Sequence, residues 1–334
     1  MEIDFIITWV DGNDEKWLNN KNTALDKANI RSKNEDWATG EARYCDWNNL
    51  QYWFRAVEKF CPWVHKIHFV TYGHLPSWLN LNHPKLNIVQ HDNYIPNEYL
   101  PTFNSNTIEL NFHRISELSE QFVIFNDDTF IIRPMQPKDF FNDGKPCYTA
   151  ILNASTPIKG AAIADINNVA ILNTHFVKND VIKSNIGQWF NLKYGLELFR
   201  TCLLMPWRHF TGFKQTHLPV SHQKSTFETV WNLEYEALDE ACKHVFRTDY
   251  DLSHWLLMEW NIASGDFYPQ SPKRGYKSNL GVTKKAIQII QGQRRKMICI
   301  NDMPWILDKE FQVQKEILIN TLDTILPEKS SYEM

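Results

Sequence analysis

Cysteine is present but never paired by spacing. Cys45, Cys61, Cys147, Cys202, Cys242 and Cys299 are scattered with no CxxC, so in a chain of 334 residues they read as reduced thiols and no zinc site built from them is expected. Long apolar runs are missing too. No window approaches 18 consecutive apolar residues, which argues against a transmembrane helix. The opening "EIDFIITWV" lacks a basic region, a long apolar stretch and a small-residue cleavage site, so no signal peptide is expected and the expected location is cytoplasmic. There is no basic surplus: net charge is −4 and the pI is near 6.3, which argues against nucleic acid as the main partner. Neither GxGxxG nor GxxxxGK[ST] occurs, and GxSxG and HExxH are equally absent. Dinucleotide, P-loop, hydrolase and zincin readings therefore lose their usual support. There is no internal repeat and no low-complexity segment.

What is present is apolar and aromatic. An apolar fraction of 43% is enough for a real core in one large domain or two modest ones. Thirteen Trp, twelve Tyr and twenty Phe serve either core packing or the stacking of a sugar or base in a cleft. Residues 3–10 (IDFIITWV) read as a strand, 46–60 as a helix with Asp46 as N-cap, 66–73 and 86–91 as strands, 104–119 as a helix and 122–125 as a strand. That rhythm predicts a Rossmann-like α/β fold with a mostly parallel sheet. Further on, 167–181 reads as a strand entering a helix, 186–204 as a helix, and 225–246 as a long helix with a Ser225/Glu228 capping box. Residues 296–302 (KMICIND) read as a strand.

Open α/β sheets gather ligands at the carboxyl ends of their strands. "TWVDGND", "VTYG" and "FNDD" all fall there. Burying carboxylates unpaired is costly, so Asp127 and Asp128 after the apolar run 122–125 point to a divalent metal or a substrate hydroxyl, or else to an ordinary acidic turn. "ICIND" repeats the pattern with Asn301 and Asp302, and hard oxygen ligands of this kind imply Mg2+ or Mn2+. "THLPVSH" places His217 and His222 in a loop, where the plain reading is two solvated side chains. Arg247 has an equally plain reading as a partner of Asp249 or Asp251.

Taken together, "IDFIITWVDGND" and the block from "RYCDWNNLQYWFRAVEKF" to "FVIFNDDTFI" resemble the first two conserved regions of the Stealth proteins. "HLPVSH…HVFRTDYDLSHWLLMEW" and "KMICINDM…LPEKSSYE" resemble the third and fourth, so the likeness runs nearly end to end. These are sugar-1-phosphate transferases of bacterial capsule synthesis, related to the GlcNAc-1-phosphotransferase catalytic subunit of animals. The resemblance implies a GT-A-type nucleotide-sugar transferase core with helical insertions in the second half. It implies one catalytic domain over 1–334, with 1–135 binding the nucleotide sugar and 136–334 completing the site.

The activity implied is transfer of a hexose-1-phosphate, such as GlcNAc-1-phosphate, from a UDP-sugar to a saccharide or lipid-linked glycan, releasing UMP. Lipid-linked acceptors would put the enzyme in peripheral contact with the inner membrane. By position, Asp128 matches the family's essential acid, His217 the histidine of H-x-P, and Arg247 the arginine that follows. Trp9, Asp11, Gly12, Asn104, Ser105, Glu109 and Arg114 are implied to line the substrate site, and Asp127, Asn301 and Asp302 to hold the metal. Asp11 stands where the first region usually has Asn, and Arg114 has a plain alternative as an i,i+3 partner of Glu117. Two rival classes are a metal-dependent glycosyltransferase that would release UDP and a carbohydrate-binding module that would turn over nothing.

Overall fold

The computed structural model describes residues 2–30, 37–40, 44, 46–158, 160, 162–279, 281–301 and 308–334. Eleven strands run in chain order: β1 Ile3–Thr8, β2 Ile67–Thr71, β3 Leu86–Gln90, β4 Gln121–Phe125, β5 Thr129–Ile131, β6 Phe141–Asn142, β7 Lys145–Tyr148, β8 Val220–Gln223, β9 Tyr268–Pro269, β10 Gly275–Ser278 and β11 Met297–Ile300. Twelve helices accompany them among the described residues. These are α1 Glu15–Lys27, α2 Leu50–Phe60, α3 Ser105–Leu110, α4 Ile163–His175, α5 Lys178–Ser184, α6 Ile186–Trp189, α7 Leu198–Leu203, α8 Lys224–Leu233, α9 Tyr235–Cys242, α10 Trp255–Ser264, α11 Lys284–Gln291 and α12 Asp308–Asp323.

The fold is mixed α/β around a mostly parallel five-stranded sheet of order β3-β2-β1-β4-β8, with only β8 antiparallel to its neighbour. Its central strands are apolar on both faces, as a sheet covered on both sides requires. Ile3, Phe5 and Ile7 of β1 and Val123 and Phe125 of β4 pack with α2, α11 and α12. Ile6, Phe122 and Ile124 point the other way, into the core under α8, α9 and α10. A second sheet, β10-β11-β5, begins directly after the first: the turn 126–128 joins β4 to β5, which pairs antiparallel with β11.

One position in the central strand breaks the apolar rule. Asp4 is fully buried, and its carboxylate accepts hydrogen bonds from His65 Nδ1 (2.8 Å), His68 Nε2 (3.1 Å), the Lys66 N–H (3.1 Å) and the Ser119 N–H (2.7 Å). Burial alone would push this carboxyl up, but the bonds from His68, Ser119 and His65 prevail and hold it down at about 2.

Several sequence expectations need correction. The helix expected over 104–119 stops at Leu110, because the Asn111 amide donates to the Thr107 carbonyl at 2.8 Å and competes with the helical ladder. The long helix 225–246 is two helices, broken at Glu234 (φ −121°, ψ 34°), whose carboxylate pairs with His175 on α4. Ser225 forms no capping box; it donates to Glu120. Residues 167–181 hold no strand but α4 and the start of α5, since Ala164, Asn168, Val169 and Leu172 recur at helical spacing on the buried side. The 186–204 helix is three short pieces, interrupted where Gly195 adopts φ +59°. "THLPVSH" is only partly loop: His222 lies in β8, fully buried beside β4. Helix α2 has Asn49 rather than Asp46 at its N-cap position, without a side-chain capping bond, and α1, with the Asp14 carboxylate accepting from the Trp17 N–H at 2.7 Å, has no counterpart among the sequence expectations.

Candidate active site

The turn after β4 meets the end of β11, where the Ile300 N–H donates to the Asp128 carbonyl at 2.8 Å, and Ile300 shares a pocket with Trp9, which follows β1. Asp128 stands in the turn between β4 and β5, and the Cys299 thiol on β11 donates to its Oδ2 at 3.1 Å. His217 Nε2 lies 3.8 Å from that same oxygen. Asp128, His217 and Cys299 thus offer ligand atoms within 4.8 Å of one another, although they come from three separate segments.

His217 adopts φ +51°, a left-handed conformation that a non-glycine residue holds only when its surroundings impose it. Those surroundings are identifiable. The Arg274 guanidinium donates to the Pro219 carbonyl at 3.2 Å, and Gly275 lets Leu218 pack where a Cβ would come within 2.4 Å of it. Burial lowers the His217 pKa to about 4, aided by the positive charges of Lys277 and Arg247, so its imidazole is neutral at pH 7.

Arg247 follows α9 and donates to Ser105 Oγ at 2.5 Å. The Asp251 carboxylate is engaged elsewhere, accepting from Asn104 Nδ2 (2.8 Å), Asn106 Nδ2 (3.0 Å), His244 Nδ1 (2.9 Å) and Thr248 Oγ1 (2.9 Å). This knot ties the start of α3 to the Arg247 segment. Asn104 is therefore a fully buried capping group, its Oδ1 accepting from the Asn106 N–H. Glu109 lies behind the site, with Oε2 3.7 Å from His254 Nε2, and His254 Nδ1 meets His222 Nε2 at 3.0 Å. Burial pushes His254 down to about 3, with a contribution from His217.

On the other side of Asp128 a pocket is lined by Trp9, Asp46, Trp47, Asp127, Asp128 and Ile300. Burial raises the Asp46 carboxyl, and the neighbouring Asp11 charge raises it further, while Lys315 and the Trp9 indole act in the opposite sense. Asp11 is fixed by its N–H donating to His74 Nε2 at 2.8 Å. Gly12 is required by crowding, since a Cβ there would lie 2.1 Å from the Tyr44 carbonyl oxygen. Asn301 is half-buried and donates its N–H to the Ser278 carbonyl at 3.1 Å; Asp302 lies outside the described residues.

The fold thus gathers Asp128, His217, Arg247 and Ser105 at one end, and Trp9, Asp11, Gly12 and Asp127 beside them. Arg114 is not part of this gathering. Its guanidinium sits 4.8 Å from the Trp231 ring centroid and its Nε donates to Asn111 Oδ1, while Glu117 pairs with Lys66 instead. Three side chains escaped the sequence reading. Asp46 reads in the sequence only as a helix cap, yet it lines the pocket beside Asp128. Lys277 on β10 sits in register with Cys299, so the two project from the same face of the sheet toward Asp128 and His217. Asp165 on α4 is pushed up to about 6 by burial, opposed by Lys277, and its charge acts on Glu259, whose carboxyl burial raises well above its ordinary value. Neither Lys277 nor Asp165 carries a signal in the sequence, since β10 is short and Asp165 sits within a helical run.

The donor types suit a hard cation in part. Asp127 and Asp128 carboxylates and the Asn301 amide supply oxygen, as Mg2+ or Mn2+ requires. The Cys299 thiol and His217 imidazole on the far side of Asp128 suit a softer ion, so the Asp127 and Asp128 carboxylates, which line the Trp9 pocket, are the better fit.

Known proteins match along the whole chain. Stealth protein CR1, conserved region 1, matches residues 1–28, and Stealth protein CR2, conserved region 2, matches residues 43–148. The capsular polysaccharide phosphotransferase WcwK of Streptococcus pneumoniae is 39% identical over 336 residues, spanning 99% of this chain and 98% of that protein. The chain belongs to the Stealth family. Other Stealth relatives align equally fully. The exopolysaccharide phosphotransferase cps2G of Lactiplantibacillus plantarum is 39% identical over 99% of this chain and 96% of its own length. The receptor polysaccharide phosphotransferase WefC of Streptococcus gordonii is 39% identical over 100% of this chain and 99% of its own. Among solved structures, the galactosyltransferase LgtC with donor and acceptor sugar analogues aligns over 96% of each chain at 9% identity and a TM-score of 0.40, a likeness of outline alone. No helix among the described residues is long and apolar enough to cross a membrane.

Proposed function

We propose that this Stealth protein transfers a hexose-1-phosphate from a UDP-sugar to a saccharide hydroxyl during synthesis of a capsular or other cell-surface polysaccharide, forming a phosphodiester and releasing UMP. The observation that carries this reading is the convergence of Asp128, His217 and Arg247, with a carboxylate oxygen 3.8 Å from the imidazole and the guanidinium close enough to depress that imidazole's pKa. All three are the positions singled out by the family resemblance, and the fold draws them from separate segments.

Phosphoryl-type transfer asks the protein mainly to position reactants and to neutralise charge. In this reading Asp128 Oδ1 or Oδ2 takes the acceptor's hydroxyl proton as its oxygen attacks the phosphorus next to the sugar. The bond from that phosphorus to the bridging oxygen breaks, and UMP departs with the electron pair. His217, neutral before substrate arrives, donates a hydrogen bond to a phosphoryl oxygen. Arg247 and Lys277 flank it and offset the diphosphate charge, the guanidinium through a fork of donors held by Ser105. Trp9 lines the pocket assigned to the nucleotide half, with Asp11 and Gly12 following it in the turn after β1, and Glu109 acts only through His254.

Asp127 and Asn301, with Asp302, would hold Mg2+ or Mn2+, which when bound supplies further charge neutralisation for the diphosphate. Residues 1–334 act as one catalytic unit in this proposal, because both cores draw side chains from before and after residue 135.

The test is incubation of the protein with a panel of UDP-sugars, Mg2+ and saccharide acceptors, followed by nucleotide analysis. UMP is the expected product, and EDTA should stop its release until Mg2+ or Mn2+ is restored. UDP as the sole product would replace the proposal with a conventional glycosyltransferase, and full activity after exhaustive chelation would remove the metal.

A further inference from the structure

Large apolar side chains exposed to solvent are normal when scattered, and informative when they cluster. Of the fourteen such side chains among the described residues, six fall between positions 186 and 207: Ile186, Leu192, Leu196, Phe199, Leu203 and Trp207. Their exposures run from 55% to 96%. Leu196, Phe199 and Leu203 follow i, i+3, i+7, which places them on one face of the turn leading into α7 and of α7 itself.

The segment presenting them is firmly backed. Trp189, Tyr194, Thr201 and Phe210 are buried on its inner side. Thr201 Oγ1 accepts from the Leu152 N–H at 3.2 Å, and the buried Lys178 ammonium donates to the carbonyls of Leu204 (2.7 Å) and Met205 (3.0 Å), closing the end of α7. The apolar row therefore belongs to a fixed ledge rather than to a frayed end.

Charge identifies what covers the ledge. Residues 186–214 carry Lys193, Arg200, Arg208 and Lys214 against Glu197 alone, four basic groups less one acidic, or net +3. The whole chain is −4, which leaves −7 for the remainder. Glu197 is neutralised locally by Lys214 and lies 3.7 Å from Arg200, so the outward field of the ledge is positive. An apolar row flanked by cations, with a tryptophan at one end, is the pattern of a segment that lies in a bilayer interface. A second copy of this chain is disfavoured, because a two-fold contact would set the same positive ledge against itself. The negative remainder of the protein does not prevent binding, since charges beyond about 8 Å are screened at physiological salt.

We propose that this ledge docks the enzyme on an anionic phospholipid surface, with Leu196, Phe199, Leu203 and Trp207 entering the headgroup boundary and Arg200 and Arg208 meeting lipid phosphates. The inference goes beyond the catalytic reading and does not depend on it. Ten residues after Trp207 the chain reaches His217, so the docked segment runs directly into the loop that carries the site.

The test uses the full chain without any nucleotide sugar, so its outcome is separable from that of the transfer assay. Sedimentation with vesicles of roughly equal phosphatidylglycerol and phosphatidylcholine is compared with phosphatidylcholine vesicles alone. Binding is expected only to the anionic vesicles, and raised salt should weaken it. The Leu196→Ser/Phe199→Ser/Leu203→Ser variant should lose at least about 10-fold in lipid partition while keeping its melting temperature, and Arg208→Glu should bind measurably less. Tryptophan quenching by brominated lipid should fall on Trp207→Phe. Should the triple variant fail to fold, Arg208→Glu and the quenching experiment decide. Failure of the wild-type chain to sediment with anionic vesicles overturns the proposal, as does undiminished binding by the folded triple variant. A dimer seen by light scattering that the triple variant dissolves would reassign the ledge as a contact between copies.

Discussion

Asp128 differs from its neighbour Asp127 by where it sits, not by what it is. Asp127 is exposed, whereas Asp128 is drawn inward by the Cys299 thiol and faces His217. Replacing Asp128 by Asn keeps the shape and removes the proton acceptor. Turnover should fall by about 10²-fold or more, with an unchanged melting curve; near-normal turnover would take Asp128 out of the reaction. Lys277 makes a different claim. If it offsets donor phosphate charge, Lys277→Met should raise the KM for the UDP-sugar by roughly 10-fold, the scale of one charge-assisted contact, and Lys277→Arg should recover most of the loss. A change in kcat with KM untouched would assign Lys277 to another role.

At the scale of elements, the ends and interruptions were harder to read than the elements themselves. Apolar runs made the strands at 3, 67 and 121 legible to within two or three residues, because a strand buried on both faces is largely apolar, and the half-buried edge strand at 86 is legible from Leu86, Ile88 and Val89. The buried carboxylate among these strands, Asp4, has a measurable consequence. Its carboxyl is held near 2 in the folded protein against 3.8 for the free group, so it contributes stability above the unfolded value and loses it as pH falls toward 2. The wild-type protein should lose about 2 kcal/mol of unfolding free energy over that window on this account. Urea titrations of wild type and Asp4→Asn should differ by a comparable amount at pH 7 and converge near pH 2. A constant difference at all pH values would refute the coupling.

Across the whole molecule, the two ends of the chain are fastened to one another through α2. Arg55 donates Nε and Nη2 to the two oxygens of Glu333, both at 2.8 Å, and Glu333 is 4% exposed. Burial pushes the Glu333 carboxyl up, but the Arg55 pair together with the Ser330 N–H and hydroxyl, which donate to its Oε1, leaves it below its ordinary value. Tyr332 stacks on His83 at 3.7 Å beside this pair. Arg55→Ala strands a buried carboxylate and should destabilise by about 3 kcal/mol in urea unfolding. Adding Glu333→Gln to that variant should restore part of the loss; no restoration would mean that packing of the Arg55 stem, rather than its charge, holds the tail.

Several things were determined by the sequence alone. Buried parallel strands announce themselves by composition, and the acidic turn at 126–128 announces itself as an interruption in such a run. Those features depend on neighbours along the chain. His217 and Arg247 carry no such local signature, and the long helix read between them is two helices broken at Glu234. Their meeting was decided by β8 returning antiparallel to β4 and by the Asp251 knot that holds α3 against the Arg247 segment. Lys277 and Asp46 approach Asp128 and His217 for the same reason: which side chains come near one another is fixed by strand register and layer packing, and these are interactions between segments far apart in sequence. The ledge at 186–207 was hidden in the same way. Its leucines look like core in the sequence, and only the burial of Tyr194 and Thr201 behind them turned that row outward.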